Sequence, residues 1–146
     1  MHFRNATPDD FDVLFGGYRE IVEELERRSF DSDYYRKTLQ AAIAEKRNLV
    51  VQENARVIGF IEYNATCPDL PVLRQDGSAW IDWVWVDSAF RSKGVGKALY
   101  AHLCHVVKQK GFKRLGTDAF TVNERSQHFH EKIGFQETMR IYVKNL

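Results

Sequence analysis

Apolar positions along this chain follow two spacings. Phe11, Leu14, Tyr18, Ile21, Val22 and Leu25 recur every three to four residues, which predicts a helix. Thr7-Pro8-Asp9-Asp10 ahead of it supplies capping and acidic side chains suited to the positive end of a helix dipole, and Gly16-Gly17 is expected to bend it. A second helix is predicted over 33–45, with Tyr34, Thr38, Leu39, Ala42 and Ile43 on one side. Val95, Ala98, Leu99, His102, Leu103, Val106 and Val107 restore the helical spacing, and Gly111 stops it behind a lysine-rich turn. A short helix over 123–132 closes at Ile133-Gly134-Phe135.

The intervening runs read as strands over 2–6, 48–52, 56–65, 79–86, 114–122 and 138–143. The second and third are separated by Glu53-Asn54-Ala55 and form a predicted hairpin. The run 79–86 is apolar on both alternating faces except at Asp82, as in a strand covered on both sides. The stretch 67–78, with Pro68, Pro71, Asp69, Asp76 and Gly77, reads as a surface loop. The order β, α, α, β, β, β, α, β, α, β predicts one mixed α/β domain spanning 1–146.

Composition narrows the function classes. A chain of 146 residues with 44% hydrophobic and 28% charged residues suits one globular domain with its own core. A net charge of +1 gives no argument for nucleic acid or an anionic membrane as partner. Trp80, Trp83 and Trp85 sit in a strand expected to be buried, which rejects a nucleic-acid-binding face. Cys67 and Cys104 stand far apart, the first residues lack a secretory pattern, and no apolar stretch approaches a membrane span. A reduced, cytoplasmic protein is expected. His102, Cys104 and His105 lie on a helix with no carboxylate at ligand spacing, so no metal is expected.

The chemistry concentrates in Val86-Asp87-Ser88-Ala89-Phe90-Arg91-Ser92-Lys93-Gly94-Val95-Gly96-Lys97-Ala98. A buried strand enters a basic turn with two glycines, and a helix opens at the second. Helix starts leave N–H groups unpaired, the dipole adds positive charge, and glycine admits an anion close to the backbone. This is an anion site. It is not a Walker loop, because Ala98 follows Gly96-Lys97 and Arg91 holds the first glycine position. A dinucleotide fingerprint fails at Leu99.

The remaining pattern, Arg/Gln-x-x-Gly-x-Gly/Ala between a strand and a helix, resembles the coenzyme A loop of the GNAT superfamily of N-acetyltransferases. Asn123, Ser126, Phe129, His130, Glu131, Lys132, Gly134 and Phe135 resemble the same family's downstream segment. The resemblance implies the GNAT fold: a mostly antiparallel sheet of six to seven strands, splayed at its middle and flanked by about four helices. It implies acetyl-CoA as co-substrate, with the backbone of Val84, Trp85 and Val86 pairing with the pantetheine arm. The amides of Arg91, Ser92, Lys93, Gly94, Val95, Gly96 and Lys97 would hold the pyrophosphate, and Asn123 would contact the coenzyme beyond it. A homodimer is an inherited expectation.

Acetyl transfer needs a neutral amine, and an alkyl amine with a pKa of about 10 must first lose a proton. Asp82, a lone carboxylate in an apolar strand, is the leading base or acceptor-binding residue. Asp118 is a second acidic group for a cationic acceptor, and the two roles are interchangeable at this point. His130 stands where the family's tyrosine protonates the departing thiolate, and is the expected acid. The segment from Gly116 to Arg140 is further similar to aminoglycoside 6′-N-acetyltransferases, though Met139 departs from an acidic position there. The expected acceptor is a small-molecule primary amine. A protein lysine or N-terminal acetyltransferase and a non-catalytic acyl-CoA-binding module are the alternatives.

Overall fold

The computed structural model describes residues 1–73 and 77–146. Strands β1 (His2–Asn5), β2 (Asn48–Glu53), β3 (Arg56–Asn64), β4 (Ser78–Val86) and β5 (Arg114–Thr117) form one sheet in sequence order. Neighbours are antiparallel except β4 and β5, which run parallel. Helices α1 (Phe11–Arg19) and α2 (Ser32–Ala44) join β1 to β2, α3 (Val95–Gln109) makes the β4–β5 crossover, and α4 (Glu124–Lys132) follows β5.

Local chemistry sets these boundaries. Thr7 N–H donates to Asp10 Oδ2 at 2.8 Å, and Arg4 donates to both carboxylate oxygens at 2.7 and 2.8 Å, tying the start of α1 to β1. Asn54 and Ala55, at φ 50° and 63°, make the two-residue turn whose twist suits a hairpin. Lys46, at φ 56°, turns the chain out of α2. The glycine pair does not bend α1. Instead, a Cβ on Gly17 would lie 2.6 Å from Phe60 and 3.0 Å from Trp85, so this glycine lets the helix settle onto the sheet. The irregularity comes later, in a π-helical turn at Glu20–Leu25.

The sheet separates two cores. Leu99, Leu103 and Val107 of α3 pack over Ile58, Ile61, Ala79 and Ile81 on one face. Leu14, Tyr18 and Leu39 cover Val50 and Phe60 on the other. Each fully buried Val, Leu, Ile or Phe side chain among these contributes about 1.5–3 kcal/mol of transfer free energy.

Two features of β4 position the site. Glu62 pairs with Trp83 while Tyr63 pairs with Ile81, so Asp82 is the extra residue of a β-bulge. The bulge reverses the phase of the strand: Ala79 and Ile81 precede it on the α3 face, and Val84 and Val86 follow it there. Trp83 and Trp85 turn to the other face. Second, β5 pairs only from Ser78↔Arg114 to Ile81↔Thr117. Thr117 Oγ1 donates to the Ile81 carbonyl at 3.2 Å, and beyond that the strands part.

Two sequence expectations are corrected here. The strand expected over 114–122 ends at Thr117, because the parting leaves residues 118–122 no ladder to join. The strand expected over 138–143 is not formed. Its apolar residues, Ile141, Tyr142 and Val143, are 79%, 85% and 88% exposed, with no strand edge against them. Among the described residues the sheet therefore has five strands, not six to seven, while the fold class stands as expected. In the 67–78 loop, Pro71–Leu73 forms a short helical turn, Ser78 joins β4, and Asp76 lies outside the described residues.

Candidate active site

The parting of β4 from β5 opens a cleft with two unlike sides. On one side lies the turn into α3. Ser92 and Gly94 both hold left-handed backbone, at φ 60° and 83°. A Cβ on Gly94 would meet nothing within 4 Å, so the turn faces open space at this point. The first bond of α3 runs from Ala98 N–H to Gly94 C=O at 3.0 Å, leaving the amides of Val95, Gly96 and Lys97 no helical carbonyl. Gly96 serves packing: a Cβ there would lie 3.1 Å from the Phe129 ring of α4. Lys93 and Lys97 are exposed at the rim, Lys93 5.3 Å over the Phe90 ring.

Arg91 behaves differently from its neighbours. Its Nε donates to the Val86 carbonyl at 2.7 Å, and its guanidinium pairs with Glu20 of the π-helical turn. Glu20 also accepts from Trp85 Nε1 at 2.7 Å. The Arg91 side chain thus fixes the turn against β4 and the α1 side, and its charge is already matched.

On the other side is a group of ionisable side chains. Glu62, 3% exposed, accepts from the Tyr18 hydroxyl and from Arg47 Nη1, the latter at 3.2 Å. The same Arg47 nitrogen lies 3.8 Å from Asp82 Oδ2. Arg47 is set firmly: its N–H donates to the Ala42 carbonyl and its own carbonyl accepts from Tyr63 N–H, at 2.9 and 3.0 Å. Burial pushes the Glu62 carboxyl up to about 7, with Tyr18 and Arg47 working against the rise and Asp82 adding to it. Asp82 is pushed up to about 6, again chiefly by loss of hydration, although its side chain keeps 30% of its exposure at the cleft mouth. Burial next to Glu62 raises the Tyr18 phenol, which stays protonated.

Asp118 follows β5 at the cleft and is raised above the usual carboxylate range by desolvation in this concave surface. Opposite it, Arg28 pairs with Glu26 at 2.5 Å and stacks 4.5 Å over the Phe120 ring. The α1–α2 connection therefore touches the β5–α4 connection across the cleft. His130 of α4 is 9% exposed, and its Nδ1 donates to the Ser126 carbonyl at 2.7 Å. That bond sets the tautomer, so Nε2, buried without a partner, presents a lone pair. Desolvation lowers its proton affinity, opposed by Ser126 and Asp118. Asn123 caps α4, its Oδ1 accepting from Ser126 N–H at 3.1 Å.

The sequence-derived residues accordingly divide into two sets, a loop set and an acidic set, around one cleft. Tyr18 was legible only as core, and Arg47, Glu62, Glu20 and Arg28 were missed. Glu62 carried the same signal that marked Asp82, a lone carboxylate in an apolar strand. No group of three or more His, Cys, Asp or Glu side chains able to hold a metal occurs among the described residues.

The sheet parts beside a helix start, with an acidic group at the opening, and the chain belongs to the acetyltransferase (GNAT) family, whose profile matches residues 17–135. An uncharacterised N-acetyltransferase of Methanocaldococcus jannaschii is 27% identical over 142 residues, covering 92% of this chain and 60% of that protein. An aminoglycoside N(6′)-acetyltransferase type 1 of Salmonella typhimurium is 31% identical over 100 residues, covering 64% of this chain and 65% of that protein. The chain thus spans less than two thirds of the length of these relatives. Among solved structures, an aminoglycoside 6′-N-acetyltransferase of Acinetobacter haemolyticus superposes with a TM-score of 0.82 at 18% identity, covering 100% of this chain and 98% of the other. AAC(6′)-Iy, solved with the bisubstrate analogue CoA-S-monomethyl-acetylneamine, gives 0.80 at 18% identity, covering 99% and 97%.

Proposed function

We propose that this chain transfers the acetyl group of acetyl-CoA to a primary amine of a small cationic molecule. The observation that supports this most strongly is the juxtaposition at β4: its stretch beyond Ile81 leaves β5 beside the amides that open α3, with Asp82 at the parting. The cleft fits the coenzyme. The β4 backbone of Val84 and Trp85 would take the pantetheine arm, with the Val86 carbonyl already given to Arg91. The amides of Ser92 to Lys97 would take the pyrophosphate, as the open face of Gly94 permits, with Asn123 near the coenzyme beyond. Acetyl-CoA, when bound, supplies the activated acetyl carbon.

The chain's own residues handle protons. Forming an amide from an ammonium removes two protons from nitrogen, and the departing sulfur takes one. Asp82, ionised, accepts the first and releases it to solvent. His130 Nε2, with its free lone pair, accepts the second and returns it to sulfur. On the side of the cleft away from the α3 turn, Glu26, Asp82 and Asp118 outnumber the cations Arg28 and Arg47, which favours a positively charged acceptor there. An aminoglycoside has that chemistry and accords with the Salmonella relative's name.

We further infer a homodimer, supported by the exposed apolar run Ile141-Tyr142-Val143, and a cytoplasmic location, supported by the free thiols Cys67 and Cys104. No helix among the described residues is long and apolar enough to cross a membrane. The test of function is thiol release from acetyl-CoA over aminoglycosides, polyamines, amino acids and lysine peptides. Selective turnover of a small cationic amine is the expected result. Turnover of peptides alone would reassign the acceptor, and coenzyme binding without any turnover would leave a binding module.

A further inference from the structure

The π-helical turn at Glu20–Leu25 has no part in the proton transfers above, although such widened turns concentrate at functional sites. Its first residue stands between the two segments that the coenzyme is to occupy. Glu20 Oε2 accepts from Trp85 Nε1 of β4 at 2.7 Å, and Glu20 Oε1 pairs with the Arg91 guanidinium at the head of the turn into α3. The two side chains keep only 21% and 19% of their exposure. Gly17, three residues earlier on the same helix face, lets the helix down to this place, since a Cβ there would lie 3.0 Å from the Trp85 ring. The other anchors of the turn lie on the β3 side: Asp87 pairs with Arg56 and donates its N–H to the Ile58 carbonyl at 2.9 Å. Neither reaches the Arg91 side chain, whose other partner is the Val86 carbonyl at 2.7 Å.

We propose that Glu20 is a positioning residue for the coenzyme, bolting the end of β4 and the turn into α3 to one helix before acetyl-CoA arrives. The inference rests on the reading that the coenzyme lies along β4 and across the amides of that turn. A turn already held in its bound shape loses less conformational freedom on binding, so restraint made beforehand reappears as affinity. Glu20 also matches the Arg91 charge on the α1 side. The anion is thereby left to the backbone amides, with Lys93 and Lys97 exposed at the rim. Both contacts require a carboxylate. Its two oxygens each accept from one donor, whereas glutamine turns an N–H toward one of them.

Glu20→Gln tests this with CoA itself as the probe, by titration calorimetry and by ¹⁵N NMR relaxation of the free protein. We expect the Kd for CoA to rise by about threefold. The amides of Ser92 to Lys97 should lose order on the picosecond-to-nanosecond scale, and saturating CoA should restore it. Arg91→Gln supplies the second variant. Because Glu20 acts through Arg91, the double variant should fall well short of the product of the two single effects. A Kd that stays in place in a folded Glu20→Gln protein overturns the proposal. A Kd that falls does so too, and would make Glu20 a competitor of the phosphates for Arg91. A weaker complex with an unmoved turn, or with effects that multiply in the double variant, would make Glu20 merely structural and overturn it equally. Absence of CoA binding by the unchanged protein would instead remove the reading of the cleft, and this proposal with it.

Discussion

The two sides of the cleft are made of different materials. The α3 side is built from backbone: amides of a helix start and two left-handed residues, one of them a glycine facing open space. The β3–β4 side is built from side chains: Tyr18, Arg47, Glu62 and Asp82, contributed by α1, the α2–β2 connection, β3 and β4. A backbone site needs few residue identities, but those few must be placed in a tight turn. A side-chain site draws its residues from distant parts of the chain and depends on their mutual charges. The first should respond to substitution through coenzyme affinity, and the second through turnover and pH.

The sharpest break of this contrast is Asp82→Asn. We expect kcat to fall by about 10²- to 10⁴-fold with the KM for acetyl-CoA nearly intact, measured by steady-state kinetics. In the unchanged protein kcat should fall as pH drops through about 6, where Asp82 takes up a proton.

Next comes stability. Glu62 has a folded-state proton affinity raised to about 7 from an ordinary 4.5. The folded state therefore binds more protons than the unfolded one between these values, and stability declines as pH rises through the window. The decline is at most about 3 kcal/mol. Glu62→Gln should flatten this contribution and raise Tm relative to the unchanged protein at pH 8, but not at pH 4.5, as read by thermal unfolding.

On the backbone side, Gly94→Val places a branched side chain at φ 83° in the open face of the turn. The KM for acetyl-CoA should rise by about tenfold, the value of roughly 1.4 kcal/mol of lost binding. The smallest effect is expected from Arg91→Lys, which loses the fork between Glu20 and the Val86 carbonyl while keeping the charge. A few-fold rise in that KM with a lowered Tm would mark Arg91 as a brace. A rise as large as that of Gly94→Val would return it to direct contact with the coenzyme.

The same division explains what could be read from the sequence. The Arg91–Gly96 turn is contiguous, so its chemistry was visible in the residue order, and the helical spacing of α1, α2 and α3 was equally local. The network about Glu62 is assembled across separations such as 44 residues between Tyr18 and Glu62, for which spacing carries no signal. Asp82 was legible because a lone carboxylate breaks an apolar strand. That its placement is a bulge depends on the register with β3, which no pattern within β4 carries. The expected strand at Thr138–Val143 failed for a related reason: alternation marks a segment able to pair, but a partner edge must be supplied by something else.

The bulge at Asp82 also bears on how this site tolerates change. In an unbroken strand every position is owed to one face, and a functional group displaces a packing group. Here β4 consists of two half-strands set out of step, and Asp82 is the spacer between them, owed to neither core. Its side chain is therefore free to vary without cost to packing. Deleting residue 82 would leave Ile81 followed directly by Trp83 in ordinary alternation, with Trp83 and Trp85 still on one face and Val84 and Val86 still on the α3 face. A deletion should thus silence the site much as a substitution does, and leave both cores packed.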